Sequence, residues 1–275
     1  MIALIDTLAQ ALARAPAVLV RVQATEGSAP REAGAWMAVT ATDIIGTIGG
    51  GHLEFEAIAQ ARRMLATGAA GPESRRQALG PSLGQCCGGV VHLAFETLGP
   101  QDIPGLAARL APPLQPLALF GGGHVGRALV RALAPLPYAL TWVDSREGVF
   151  PADLPAGVRC EHSEPVQAAV DDLASGSAVL VMSFSHAEDL DIVAACLRRR
   201  RARADLAFIG LIGSRSKWAT FRHRLGARGF SEAELAAVTC PIGLPGLPGK
   251  EPEVIAVSVA AQLLMRRQVR TPGSA

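Results

Sequence analysis

Apolar residues at Ile2, Ile5, Leu8 and Leu12 recur at helical spacing, and Asp6 sits among them, so the chain is expected to open with an amphipathic helix over Met1 to Ala15. No early basic cluster precedes these residues, which argues against a signal peptide. Ala17 to Gln23 (AVLVRVQ) and Ala35 to Thr40 (AWMAVT) are short apolar runs, and Val90 to Thr97 (VVHLAFET) alternates so that Val91, Leu93 and Phe95 share one face. All three are predicted strands. Between them, Leu53, Ala57, Met64 and Leu65 mark a helix over Leu53 to Leu65 that follows Gly49, Gly50 and Gly51. Residues 1–100 therefore read as a small α+β domain.

The stretch from Gly99 to Pro116 is rich in proline and glycine, which sustain neither a strand ladder nor a long helix. A linker over residues 101–116 is predicted. Beyond it the apolar runs Leu117 to Phe120, Ala139 to Val143, Ala178 to Ser183 and Leu206 to Leu211 alternate with helical stretches. Such alternation predicts an α/β domain over residues 117–275, with a mostly parallel sheet and right-handed crossovers. Ser231 and Glu234 form a candidate capping box, and Glu253 to Met265 a final helix.

Composition narrows the classes. Hydrophobic residues make up 49% of the chain, yet charges, glycines and prolines break every apolar run short of the roughly 20 residues that a spanning helix needs. A net charge of +2 gives no reason to expect nucleic acid as a partner. Five cysteines without a secretory signal read as reduced thiols in a cytoplasmic protein, with Cys160, Cys196 and Cys240 assigned to the core. The run Arg198 to Arg201 reads as a solvated last helical turn, where cations suit the negative helix end.

Several loops could carry chemistry. Gly121-x-Gly123-x-x-Gly126 stands directly after the strand LALF and opens the helix HVGRALVRAL, which makes the second domain Rossmann-like. Glycines there let the backbone approach a phosphate, and the helix end favours an anion by roughly 0.3 to 1 kcal/mol before contacts. Asp144 closes the next strand, where a ribose diol is held in an NAD-type site. Ligands of such sheets sit beyond the carboxyl ends of the strands. That rule singles out Ser185, His186 and Asp189, then Ser214, Arg215, Ser216 and Lys217, then Gly243 and Lys250. In the first domain, Gly49, Gly50 and Gly51 form a candidate anion nest, with Glu54 either part of that site or a complement to the helix dipole. Cys86 and Cys87 share a glycine-flanked loop, and soft sulfur suits a thiophilic metal. No second pair at zinc spacing accompanies them.

Taken in order, GSAPREAGAWMAV, GTIGGGHLE, GQCCGG, LALFGGGHVG, VDSR, SFSHAEDLD, GLIGSRSK and EPEVIAVSVAAQL resemble the xanthine dehydrogenase accessory protein family, XdhC/CoxI, over nearly the whole chain. The resemblance implies a chaperone that binds molybdenum cofactor (molybdopterin) as cargo, shelters it during sulfuration and inserts it into an apo-molybdoenzyme. Its implied partners are apo xanthine dehydrogenase and a cysteine desulfurase acting as sulfurase, with neither nucleic acid nor membrane among them; oligomeric state stays open, a homodimer included. Cys86 or Cys87 is then a candidate molybdenum ligand. One stretch departs from the pattern: relatives often read LDIGAxTPEEIA where this chain has LPGLPGKEPEVIA, lacking the Asp and the Thr. The alternative from another class is an NAD(P)-dependent oxidoreductase with His186 as proton donor.

Overall fold

The computed structural model describes residues 2–69, 72–79 and 88–267. Its chain divides into two compact units, Met1–Pro112 and Pro113–Ala275.

In the first unit, strand β1 (Ala17–Glu26) is central because its alternate residues are apolar on both faces. It pairs antiparallel with β2 (Trp36–Val39) on one side and β5 (Val90–Leu98) on the other. The edges are β3 (Ile44–Gly46) and β4 (Glu73–Ala78), giving the order β3-β2-β1-β5-β4. Val18, Val20 and Val22 pack with Val91, Leu93 and Phe95 under helix α2 (Gly51–Thr67), which contributes Leu53, Ala57, Ala61 and Met64. On the opposite face Ala17, Leu19 and Trp36 meet Leu8 and Leu12 of α1 (Ile2–Leu12). Leu8 and Leu12 are fully buried, each contributing about 1.5 to 3 kcal/mol.

Much of the expected linker belongs to this unit. Pro100–Gly105 form a 3-10 helix that leads into α3 (Leu106–Leu110), and Leu106 and Leu110 are buried against α1 and the sheet. Two leucines four residues apart supply a contact face that the density of prolines obscured. The edge strands β3 and β4 carry no alternating apolar pattern, so periodicity reveals neither.

The second unit is a doubly wound sheet. Its strands are β6 (Gln115–Phe120), β7 (Tyr138–Asp144), β8 (Arg159–His162), β9 (Ala178–Val181), β10 (Phe208–Leu211) and β11 (Val238–Thr239). All pairs are parallel and the order is β11-β10-β9-β6-β7-β8, so the direction in which successive strands are added reverses between β6 and β9. One face buries Leu117, Leu119, Trp142 and Leu180 under α4 (His124–Leu133) and α8 (Pro252–Arg266). The other buries Ala118, Phe120, Val143 and Val181 under α5 (His186–Arg203), α6 (Arg215–Ala227) and the single turn α7 (Glu232–Leu235). Ser231 and Glu234 make both bonds of the capping box that starts α7. Ser258 and Gln262 of α8 hold the preceding loop through the backbone of Leu244 and Gly243.

The arginine run corrects the sequence expectation at one position. Arg198, Arg200 and Arg201 are exposed, but Arg199 is 4% exposed. Its guanidinium donates to both oxygens of Asp205 at 2.9 and 2.7 Å and to the carbonyls of Val170 and Leu173 at 2.6 and 2.7 Å. Helical periodicity turns one residue in four toward the core, and a guanidinium there is tolerated because its donors are satisfied. Replacing it by Met leaves those carbonyls and Asp205 without a donor. Arg199→Met is expected to destabilise the C-terminal unit by about 3 kcal/mol, read as a lower urea midpoint. Arg201→Met, at the surface, is expected to shift it by less than about 1 kcal/mol.

Candidate functional site

The carboxyl ends of β6, β7, β9 and β10 converge on the reversal point, and three helices start there. The loop after β6 is shaped by close approaches. Gly121 has φ 123°, and a Cβ on it would collide with the carbonyl oxygen of Met182 in the loop after β9. A Cβ on Gly126, in the first turn of α4, would collide with the carbonyl oxygen of Gly121. That same oxygen accepts a bond from the indole Nε1 of Trp142 at 2.9 Å. Glycine at both positions thus brings α4 down onto the strand end. Gly123 caps α4 with φ −72°, and a Cβ there would meet nothing within 4 Å, so space is open before the helix N-terminus.

Asp144, at the end of β7, is 2% exposed and holds this loop in place. Its Oδ2 accepts from the Gly122 backbone at 2.6 Å and from Arg146 Nη2 at 2.9 Å; its Oδ1 accepts from Arg146 Nε and the Arg146 backbone, both at 2.9 Å. Burial pushes the Asp144 carboxyl up, but the bonds from Arg146 and Gly122 outweigh it and hold the carboxyl below its ordinary value. All four acceptor positions are taken. The expected grip on a ribose diol is therefore occupied by the protein's own donors. Arg146, which position in the sequence does not single out, lies with its guanidinium carbon 4.7 Å from the ring centre of Phe184. Phe184 is 68% exposed. Beside them Ser145 Oγ donates to Glu188 Oε1 at 2.6 Å, across the end of β6.

The remaining loops form a second network. Asp189, in the first turn of α5, accepts from the backbone and hydroxyl of Ser183 at 2.7 Å each and from Lys217 Nζ at 2.6 Å. Both charges are buried, with side chains 3% and 12% exposed. Ser185 caps α5 and Ser214 caps α6, accepting from the backbones of Glu188 and Lys217. His186 and Arg215 are exposed first residues of those helices, and the His186 ring stands edge-on to Phe221 at 6.3 Å. Lys250 is exposed.

In the first unit Gly49, Gly50 and Gly51 have φ of 123°, 78° and 64°, the left-handed geometry that gathers N–H groups into a nest. Glu54 fills it. Its Oε2 accepts from Thr47 Oγ1 at 2.5 Å and from the backbones of Ile48 and Gly50 at 2.9 and 3.2 Å. Burial raises the Glu54 pKa, and these bonds more than offset it, so the carboxyl stays charged at neutral pH. Cys86 and Cys87 lie outside the described residues. Of the other cysteines, Cys196 is buried, its thiol pushed up to about 12 by burial. Cys160 and Cys240 are partly buried. Among the described residues, no group of three or more His, Cys, Asp or Glu is placed to hold a metal ion.

Because the Asp144 pKa is depressed in the fold, its stabilisation is complete above the unfolded value of about 4 and is lost as pH falls through the folded value. Asp144→Asn is expected to cost about 2 kcal/mol at neutral pH and to flatten the acid side of the stability curve, read as melting temperature between pH 2 and 7. A variant that melts with the parent's pH dependence would contradict this account of the loop.

Two family models match the chain. The XdhC and CoxI family covers residues 11–76, and the XdhC Rossmann domain covers residues 117–263. The uncharacterized protein YqeB of Escherichia coli strain K12 is 26% identical over 259 residues, which cover 90% of this chain and 43% of YqeB, so the chain spans less than half the length of that relative. A solved structure from Bacillus halodurans, described as a xanthine dehydrogenase, is similar in fold with a TM-score of 0.77 at 19% identity, covering 99% of this chain and 98% of that one. No helix of the described residues is long and apolar enough to cross a membrane. With one model placed on the antiparallel unit and the other on nearly all of the parallel sheet, the chain belongs to the XdhC and CoxI family and carries the XdhC Rossmann domain.

Proposed function

We propose that the chain is a cytoplasmic carrier of molybdopterin-type molybdenum cofactor, which it shelters during sulfuration and delivers to apo xanthine dehydrogenase or a related molybdoenzyme. A cysteine desulfurase supplies the sulfur in this reading, and the carrier acts stoichiometrically, without turnover. The observation that carries it is the open glycine loop before α4 in a chain of this family. Molybdopterin ends in a phosphate, and unpaired N–H groups at a helix start favour such an anion. An NAD(P)-dependent oxidoreductase would use the same loop and strand order, and turnover of nicotinamide by the purified chain would favour that reading instead.

The test is a titration of the full chain with molybdenum cofactor, counting molybdenum per chain; about one per chain is expected on this reading, and a ratio near zero overturns it. Gly123→Val should fold normally, since the new side chain enters open space at an ordinary φ, yet it fills the approach to the helix end. Cofactor affinity is expected to fall at least about tenfold, equivalent to roughly 1.4 kcal/mol. Unchanged affinity would place the phosphate elsewhere.

The sulfur-ligated metal end of the cargo is assigned to Cys86 or Cys87. A thiolate binds metal far better than a thiol, and soft sulfur suits a thiophilic metal. Replacing each with Ser, singly and together, is expected to lower molybdenum retention while the melting temperature stays within a few degrees. Full retention by the double variant removes the thiols from the site.

A further inference from the structure

We infer that the end of β7 is built to take a phosphate monoester on a ribose, so that the C-terminal unit binds a 2′-phosphorylated dinucleotide of the NADPH type and discriminates against NADH. The inference goes beyond the cargo reading and does not depend on it. It starts from donors and acceptors. A ribose with two free hydroxyls needs a carboxylate with vacant lone pairs. Asp144 has none to give, because Gly122 and Arg146 occupy both oxygens at 2.6 to 2.9 Å and the residue is 2% exposed.

Arg146 offers the opposite chemistry. Its Nε and Nη2 face Asp144, which leaves the Nη1 protons directed away from the carboxylate, and its side chain is 37% exposed. A guanidinium fork fixed on one edge presents the other to an oxyanion with little ordering left to lose. Phe184 sits against the guanidinium and is itself exposed, an apolar plane on which a planar base can lie. Glu188 adds an independent sign. Its Oε1 is held by Ser145, whereas its Oε2 is buried without a hydrogen-bond partner among the described residues. A buried acceptor left unpaired is costly, and the single hydroxyl that a 2′-phosphorylated ribose retains is a donor of the right kind, one contact where a free diol asks for two.

The test is equilibrium titration of the full chain with NADPH and with NADH, followed by nicotinamide fluorescence. NADPH is expected to bind at least about tenfold more tightly, the effect of one charge-assisted contact. Arg146→Ala should erase that preference by weakening NADPH alone. Arg146→Lys, which keeps the charge without the fork, should retain part of it and guards against a loss of fold in the Ala variant, monitored by melting. Equal affinities, binding of neither nucleotide, or an unchanged preference in both variants would overturn the inference. A dinucleotide and molybdenum cofactor would both use the loop before α4, so each titration is run on chain freed of molybdenum cofactor, and the Arg146 variants report on the nucleotide alone.

Discussion

Much of the C-terminal unit's working end depends on one buried carboxylate. Asp144 joins the glycine loop after β6 to the loop after β7 through Gly122 and Arg146, and it does so where Gly121, Trp142 and Gly126 already crowd the strand end. A charge this deep persists only if each lone pair has a donor, and the fold meets that demand entirely from its own backbone and one arginine. The cost is that Asp144 cannot also serve a ligand. Recognition passes outward to Arg146, Phe184 and the open approach at Gly123.

The two glycine clusters make a contrast of the same kind. Gly49 to Gly51 build a nest in which Glu54, of the same chain, accepts from the backbones of Ile48 and Gly50, six and four residues before it. Before α4 no acidic side chain lies in the first turn. At the first cluster a tethered carboxylate sits in the nest itself; at the second Asp144 takes only the Gly122 N–H, and the approach at Gly123 before the helix start stays open. The physical case for a phosphate therefore rests on the Rossmann unit.

Periodicity made the buried elements legible. Alternation in Val90 to Thr97 and the apolar runs after Leu117 produced the strands the structure contains, because a strand packed on one or both faces must be written in apolar residues. What escaped was set by contacts distant in sequence. Strands β4 (ESRRQA) and β8 (RCEH) are polar and owe their existence to a neighbour's hydrogen bonds. Leu106 and Leu110 were hidden among prolines, and Arg199 among arginines. At the site, the glycine motif and Asp144 were readable from position alone. That Asp144 faces inward to Arg146 was not, since a sequence places a residue at a strand end without saying which partner reaches it first.

The sheet edges have a consequence for how the chain behaves at high concentration. Each sheet ends on one very short strand, β3 with three residues or β11 with two, and on one charged strand, β4 or β8. An exposed edge is a template on which another chain can extend the ladder, the first step toward fibrous aggregates. Three residues offer too little backbone to nucleate such growth. On the other side, an identical copy docking along β4 would bring its own Arg75 and Arg76 to a strand already carrying them. The polar, poorly patterned segments that were hardest to read as strands are thus the ones that keep both sheets from growing beyond their own chain.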